Sequence, residues 1–409
     1  MDNLIAQCSQ RLDVFLSSQL GISRNQISNL IKSTAVRVDG AVQTKPGYKL
    51  SVGELVHIDY PAPAPQQTSA DRLNFDVEIL YEDDDLLVVN KPAGLTVHPA
   101  ASVKEPTLVD WLKSRGYLLS TLGGELRAGI VHRLDKLTSG ALLVAKNNAA
   151  HAVLSAQLSD KSMGRIYLAL IDLPLKEPCV IERPISRNPA NRLKMGIVPG
   201  GRSAKSAFYE ILSGAELSEL QNSAERCDKI LSTSASDSTA AGKSAGADEI
   251  LNNRADNADK ILTAKMSANE TRAARLAENK FLNFKNPAQN YKLPPINLKS
   301  FNLVAAKLFT GRTHQIRVHL SSINRHILGD HLYGFKSENA KISRILLHAY
   351  LLYFIHPRSG KEVKICAGLP SEFLNFTTNQ KVKDEIYEKI LPTNVERYFS
   401  DTSGWLRYV

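Results

Sequence analysis

Short apolar runs bounded by charged or turn-forming positions dominate the central part of this 409-residue chain, as in EILYEDDDLLVVNKP, Ala141 to Ala145, SAFYEIL and FNLVAAKLFTG. Runs of this kind read as strands buried on one or both faces. Helical patterns such as Leu108 to Ser114 are interspersed among them. Together they predict an α+β fold: a mixed, largely antiparallel sheet with helices on its flanks, over residues 72–375. Residues 376–409 read as a C-terminal extension.

The first 60 residues follow a different rhythm and predict a small α/β module. Arg11 to Leu20 has helical periodicity, and Ser23 is placed to cap a second helix running to Ser33. VRVDG then turns sharply, and Gly53 precedes the strand LVHI. A proline-rich linker over residues 61–71, containing PAPAPQQTSA, favours a semi-rigid chain that tethers the module without fixing its orientation. Residues 214–296 interrupt the strand pattern with phrases such as LSTSASDSTAAGKSAGADE. With few large apolar residues, this segment reads as an insertion, disordered or a loosely docked hairpin, with a marginal helix at Thr263 to Phe284.

A hydrophobic content of 43% in a chain of this length supplies a sizeable core. The net charge of +10 favours a polyanionic partner. The 214–296 segment holds eleven basic and eleven acidic residues, so the whole surplus lies in the parts that read as folded. Four cysteines, Cys8, Cys179, Cys227 and Cys366, lie far apart without a Cys-x-x-Cys pair, which indicates neither a zinc site nor a disulfide framework. The chain has no apolar run of membrane-spanning length, and its start, MDNLIAQCSQ, lacks the features of a signal peptide. A soluble, cytoplasmic protein, monomeric and without a membrane association, is the expectation.

One carboxylate stands out. In GIVHRLDKLTSGALLVAK, Asp135 lies between an apolar lead-in and a buried strand, beside a turn of Thr138, Ser139 and Gly140. Such a group can attack or polarise a substrate. Equally, it can pair with Arg133 or Lys136 and merely cap the turn.

HRLDKLTSG resembles the signature of the RluA-type pseudouridine synthases, and further blocks follow in that family's order. These are NKPAGLTVHPA (Asn90 to Ala100), RIYLAL (Arg165 to Leu170), TGRTHQIRVHL (Thr310 to Leu320), GDHLYG (Gly329 to Gly334) and LLHAYLLYFIHPRSG (Leu346 to Gly360). Residues 11–59 are similar to the alpha-L RNA-binding motif, with Arg11, Arg24, Lys32, Arg37, Lys45 and Lys49 as its basic residues. The departures are Leu137, where an acidic residue is common, Asp172 after the Tyr strand, and the long insertion.

The resemblance implies an RNA uridine isomerase with Asp135, Tyr167 and Arg317 as catalytic residues. Asp135 would act as nucleophile at the ribose or as the base of a glycal route. Arg317 would pair with it, since an adjacent cation favours a charged carboxylate. Tyr167 would stack on the target base and be placed to accept the final proton. Arg133 would fill the gap left by a flipped base, and His132, Arg312 and His314 would contact RNA or pack the site. His98 and His348 read as buried, hydrogen-bonded histidines. The reaction neither oxidises nor hydrolyses, so no metal or cofactor is implied.

The expected partner is ribosomal RNA, most directly that of the large subunit, with tRNA and pre-ribosomal particles as further expectations. Two rival readings are a catalytically silent RNA-binding assembly factor and a glycosidase. The latter needs a second carboxylate, for which Asp110 and Asp330 are the outside candidates.

Overall fold

The computed structural model describes residues 2–21, 24–59, 73, 75–100, 103–237, 301–334, 342 and 344–400. At the N-terminus, β1 (Asp2–Ile5), α1 (Leu12–Leu20), α2 (Arg24–Lys32), β2 (Val36–Val38), β3 (Ala41–Val42) and β4 (Leu55–Ile58) form one module. Its antiparallel sheet has the order β1-β4-β2-β3. Leu12, Phe15 and Leu16 of α1 and Ile27, Leu30 and Ile31 of α2 close over Val36, Val38, Val56 and Ile58. The proposed cap Ser23, the 61–71 linker and Thr263 to Phe284 lie outside the described residues.

Two of the basic residues assigned to this module's RNA face, both 55% exposed, also pair with a buried carboxylate. Asp13, in the first turn of α1, is only 3% exposed. Arg11 Nε donates to it at 2.9 Å and Arg24 Nη2 at 2.6 Å. Hydrogen bonding from Arg11 holds the Asp13 carboxyl down at about 2, burial opposes, and Arg24 reinforces the shift. Lys32 and Arg37 are exposed and form no ion pair among the described residues. Nor is the module a free appendage. Leu122 of the main domain is buried within its core, and Ala152 packs against it.

The main domain is built on a nine-stranded sheet. Its members are β5 (Glu78–Glu82), β6 (Leu86–Lys91), β7 (Ser139–Ala145), β8 (Gly164–Ile171), β9 (Cys179–Glu182), β12 (Lys205–Leu212), β13 (Asn302–Leu308), β14 (Leu347–Ile355) and β15 (Glu362–Cys366). A separate hairpin joins β10 (Ile185–Arg187) to β11 (Met195–Ile197). Eight strands run in the order β5-β6-β7-β14-β8-β13-β12-β9, and β15 pairs with β14. Every pairing is antiparallel except β7 with β14, matching the mixed sheet expected.

That parallel pairing places Gly140 opposite Ala349. A Cβ on Gly140, at φ 114°, would collide with the Ala349 backbone, so these two strands meet only because no side chain is present.

Alternation along β7 and β8 divides two apolar layers. Leu142, Val144, Tyr167, Ala169 and Ile171 face one cluster, shared with α3 (Leu108–Ser114) and α6 (Gln315–Ser321). Ile166, Leu168 and Leu170 face another, while Ala141, Leu143 and Ala145 meet Leu154 of α4 (Asn148–Asp160). Helix α3 starts on a capping box in which Asp110 accepts from the Thr107 backbone, so this carboxylate has a structural task.

The two outer boundaries need correction. Residues from Gly214 onward begin as helix α5 (Gly214–Asp237), with Leu217 and Ala224 buried in the second layer. The low-complexity composition hid their helical spacing. Helices α7 (Gln380–Lys389) and α8 (Pro392–Arg397), in the supposed extension, complete that layer. They insert Val382, Ile386, Ile390 and Val395, and the Tyr350 hydroxyl donates to the Ile390 carbonyl at 2.6 Å.

Leu217→Ala should therefore lower the unfolding free energy by about 2–4 kcal/mol in urea denaturation. No change would mean that the segment from residue 214 is inert.

Candidate active site

Asp135 sits on a loop that doubles back along β7. Ile130 bridges Val144, and His132 Nε2 accepts the Leu143 N–H at 3.1 Å. Burial and then the charge of Arg165 push His132 down to about 3, so it serves this bond as a neutral acceptor. This corrects its assignment as an RNA contact: the ring points inward because a strand N–H needs a partner.

The other side of the loop is fixed by Lys91, whose buried Nζ donates to the carbonyls of Pro92, Leu95 and Lys136 at 2.7, 2.9 and 3.1 Å. Burial, followed by Arg344, lowers this ammonium to about 7, while Asp135 opposes the shift. Three carbonyls converging on one ammonium hold together the backbone on either side of the carboxylate.

The partner of Asp135 is Arg317 on α6, 3.1 Å from Nη1 to Oδ2. Neither turn-capping partner takes that place: Arg133 is exposed, and Lys136 pairs with Glu105 at 2.6 Å. Arg317 is 7% exposed and is itself clamped by Asp330, through Nε at 2.7 Å and Nη2 at 2.9 Å. Asp330, 1% exposed, also accepts the backbone N–H groups of Leu332 and Tyr333. Its oxygens are occupied by donors, which removes it as the second carboxylate of a glycosidase.

The face of the Tyr333 ring lies against the Arg317 guanidinium at 4.9 Å. Its hydroxyl accepts from Met195 N–H at 2.8 Å and lies 2.9 Å from His314 Nδ1. His314 Nε2 lies 3.9 Å from Asp135 Oδ2, so the ring bridges the Tyr333 hydroxyl and the carboxylate. Burial lowers the His314 pKa, against the pull of Asp135. His314 takes a left-handed φ of 56° ahead of α6, which brings it to Asp135.

Asp135, His314 and Arg317 line one cleft with Leu134, Thr138, Arg165, Tyr167 and Leu347. Arg133, Gly311 and Thr313 are exposed and form the rim, whereas Tyr167, Leu308 and Leu347 are buried and form the floor. Burial raises the Tyr167 phenol, keeping it protonated. Arg312 also lines the cleft, with Nε donating to the Ser203 carbonyl at 2.8 Å. Gln315 staples this turn to β12 through Lys205 and Ser206.

His348, as expected, is buried. Its Nδ1 meets the Ser139 hydroxyl at 2.9 Å and its Nε2 the Ala367 carbonyl at 3.2 Å, while burial pushes it down to about 3. His98 is buried too, but its Nδ1 has no partner among the described residues. Asp83, Asp85 and His356 have metal-ligand spacing, yet they bond to one another and to Arg358, away from the cleft.

The model of the RNA pseudouridylate synthase family matches residues 85–322, and that of the S4 domain matches residues 10–56. The chain belongs to the RNA pseudouridylate synthase family. It is 37% identical over 381 residues to an uncharacterized RNA pseudouridine synthase of Helicobacter pylori (strain J99), covering 93% of this chain and 92% of that one. It is 33% identical over 372 residues to the ribosomal large subunit pseudouridine synthase D of Zymomonas mobilis, covering 88% and 91%. The solved human RNA pseudouridylate synthase domain containing 1 aligns with 19% identity and a TM-score of 0.44, over 79% of this chain and 97% of that one.

This RNA pseudouridine synthase is therefore an isomerase acting on RNA, with an S4 domain at its N-terminus. None of its helices among the described residues is long and apolar enough to cross a membrane.

Arg165, Lys91 and Tyr333 gain places in the site that sequence reasoning did not give them, and Asp330 enters it as the anchor of Arg317 instead of a second catalytic carboxylate. For Arg165 the signal was present, since the alternation of a strand puts it on the face of Tyr167.

His132 and His348 must charge when the chain unfolds below their ordinary pKa. The stability that their neutral burial lends is fully present above about pH 6.5. It declines as pH falls toward about 3, by up to about 1.4 kcal/mol per pH unit for each imidazole. Urea unfolding at about pH 7 and about pH 5 reads this slope, and a flat profile would contradict it.

Proposed function

We propose that this synthase isomerises uridines of large-subunit ribosomal RNA, using Asp135 as the group that attacks or deprotonates the ribose. The single observation that carries the reading is the half-buried Asp135 held by Arg317 inside a cleft with Arg133 on its rim. The rRNA target is supported by the S4 domain and by the name of the Zymomonas mobilis relative, a ribosomal large subunit pseudouridine synthase.

The steps follow from the groups present. Flipping the uridine from its stack costs a few kcal/mol, and exposed Arg133 at the rim is positioned to stack in the space vacated. Tyr167 provides an apolar platform for the base. Asp135 forms a bond to C1′ as the bond to N1 breaks, or removes the 2′ proton on the glycal route. The released uracil turns and bonds through C5 to C1′ as the ester to Asp135 breaks or, on the glycal route, as Asp135 returns its proton to C2′. The carboxylate is thereby freed, and N1 takes up a proton as C5 gives up its own. Because the Tyr167 phenol stays protonated, we assign the final C5 proton to the freed Asp135 carboxylate, in place of the phenol.

Asp135→Asn should cut pseudouridine formation by about 10⁴-fold or more while leaving RNA affinity in place. Carbodiimide mapping of rRNA and tRNA, from cells lacking the gene and complemented with each form, checks both activity and target. An unchanged map in the deletion strain, with RNA binding retained, would favour the silent assembly factor.

Arg11, Arg24, Lys45 and Lys49 are exposed as well, and part of the phosphate-binding charge of the S4 domain should rest on Lys32 and Arg37. Replacing both by Gln should shallow the slope of log Kd against log salt by about 1–2. An unmoved slope would place the RNA backbone elsewhere.

A further inference from the structure

Arg165 is the one cleft residue with a buried cationic side chain and no partner to explain it. It is 8% exposed, its Nε has no hydrogen-bond partner, and it makes no ion pair among the described residues. Unpaired buried cations are expensive, so their retention asks for a ligand. The carboxylate that shares the cleft, Asp135, is turned to Arg317.

Placement narrows what that ligand is. Arg165 lies two residues before Tyr167 on β8, on the same face and facing the same cleft. Space for its guanidinium exists because residue 311 is glycine: a Cβ there would stand 2.9 Å from Nη1. Another orphaned polar atom, Thr138 Oγ1, is buried in the same wall. A phosphodiester, tied to its strand on both sides, stays at the rim with Arg133 and Thr313. A flipped base reaches the floor.

We propose that Arg165 stabilises the negative charge that appears on the uracil ring when the glycosidic bond breaks. As the C1′–N1 bond cleaves, its electron pair passes to the ring and spreads over N1 and the carbonyl oxygens. The guanidinium N–H groups donate to a carbonyl oxygen, more strongly to the anion than to the neutral base. The charge is withdrawn when C5 bonds to C1′, and the later loss of the C5 proton is matched by a proton taken up at N1. This assignment rests on the uridine-isomerase reading above, and it serves either role of Asp135 because both discharge the ring with the electron pair.

The test is single-turnover kinetics on an RNA that the wild type modifies, carrying uridine or 5-fluorouridine at the target. Fluorine withdraws charge and makes the base a better leaving group. Arg165→Gln is expected to slow bond cleavage about 100-fold on uridine, with RNA affinity changed by less than about threefold and a clearly smaller deficit on 5-fluorouridine. Arg165→Lys, which keeps the charge, should recover part of the rate. If Arg165→Gln does not fold, the same comparison between the two bases is made with Arg165→Lys, whose deficit must again be larger on uridine.

Equal deficits on both bases would overturn the proposal and leave Arg165 a structural residue. Weaker RNA binding with a shallower salt slope, and an unchanged rate at saturation, would overturn it in favour of a phosphate contact. A wild type that forms no pseudouridine on any rRNA or tRNA would overturn the parent reading and this one with it.

Discussion

The guanidinium of Arg317 stands between two carboxylates inside the protein, and the site's geometry is organised around that placement. Taking such charges out of water is costly unless they are paired and hydrogen-bonded in good geometry. Arginine's planar fork meets the requirement: Nε and Nη2 hold Asp330, and Nη1 is left to face Asp135. Asp330 is in turn anchored by backbone N–H groups of its own turn. The position of Asp135 is therefore referred through two rigid links to the backbone after α6. A lysine at 317 could supply charge but not this directionality.

Around this pair, neutral and backbone-bonded groups do the positioning. His132 ties the Asp135 loop to β7, His348 ties β7 to the segment after β15, and Lys91 joins the loop to the NKPAGL turn. The two histidines are neutral, and the Lys91 ammonium is taken up by three carbonyls. Charges that face substrate are thereby restricted to a few side chains: Arg133 and Arg312 near the rim, and Asp135, Arg317 and Arg165 further in.

The sheet was legible in the sequence because its central strands are apolar along their length, and the site was legible because its blocks keep their order. Asp135, Tyr167 and Arg317 do line one cleft. Other assignments failed where a local pattern underdetermines a tertiary contact. Arg11 and Arg24 look like free surface charges until Asp13 is seen buried between them. His132 beside Arg133 reads as an exposed polar pair, but adjacent residues of a loop can face opposite ways. In α7, Val382, Ile386 and Ile390 have helical spacing, but they are so widely diluted by Lys, Asp and Glu that the helix reads as solvated. Likewise Leu217 and Ala224 are obscured by the composition that follows them.

The pairing of Asp135 with Arg317 spans 182 residues of sequence, and the segment from Gly214 lies between them. Closing a chain loop loses entropy only as the logarithm of its length. Without the intervening segment of residues 214–296 the loop would be roughly half as long, and the difference amounts to about 0.5 kcal/mol. That is less than a single good buried hydrogen bond contributes. A lineage could therefore lengthen this connection greatly while the equilibrium for bringing the carboxylate to its guanidinium stayed almost where it was. The ends of the strands that bracket it, Leu212 and Asn302, are the places where such growth disturbs the sheet least.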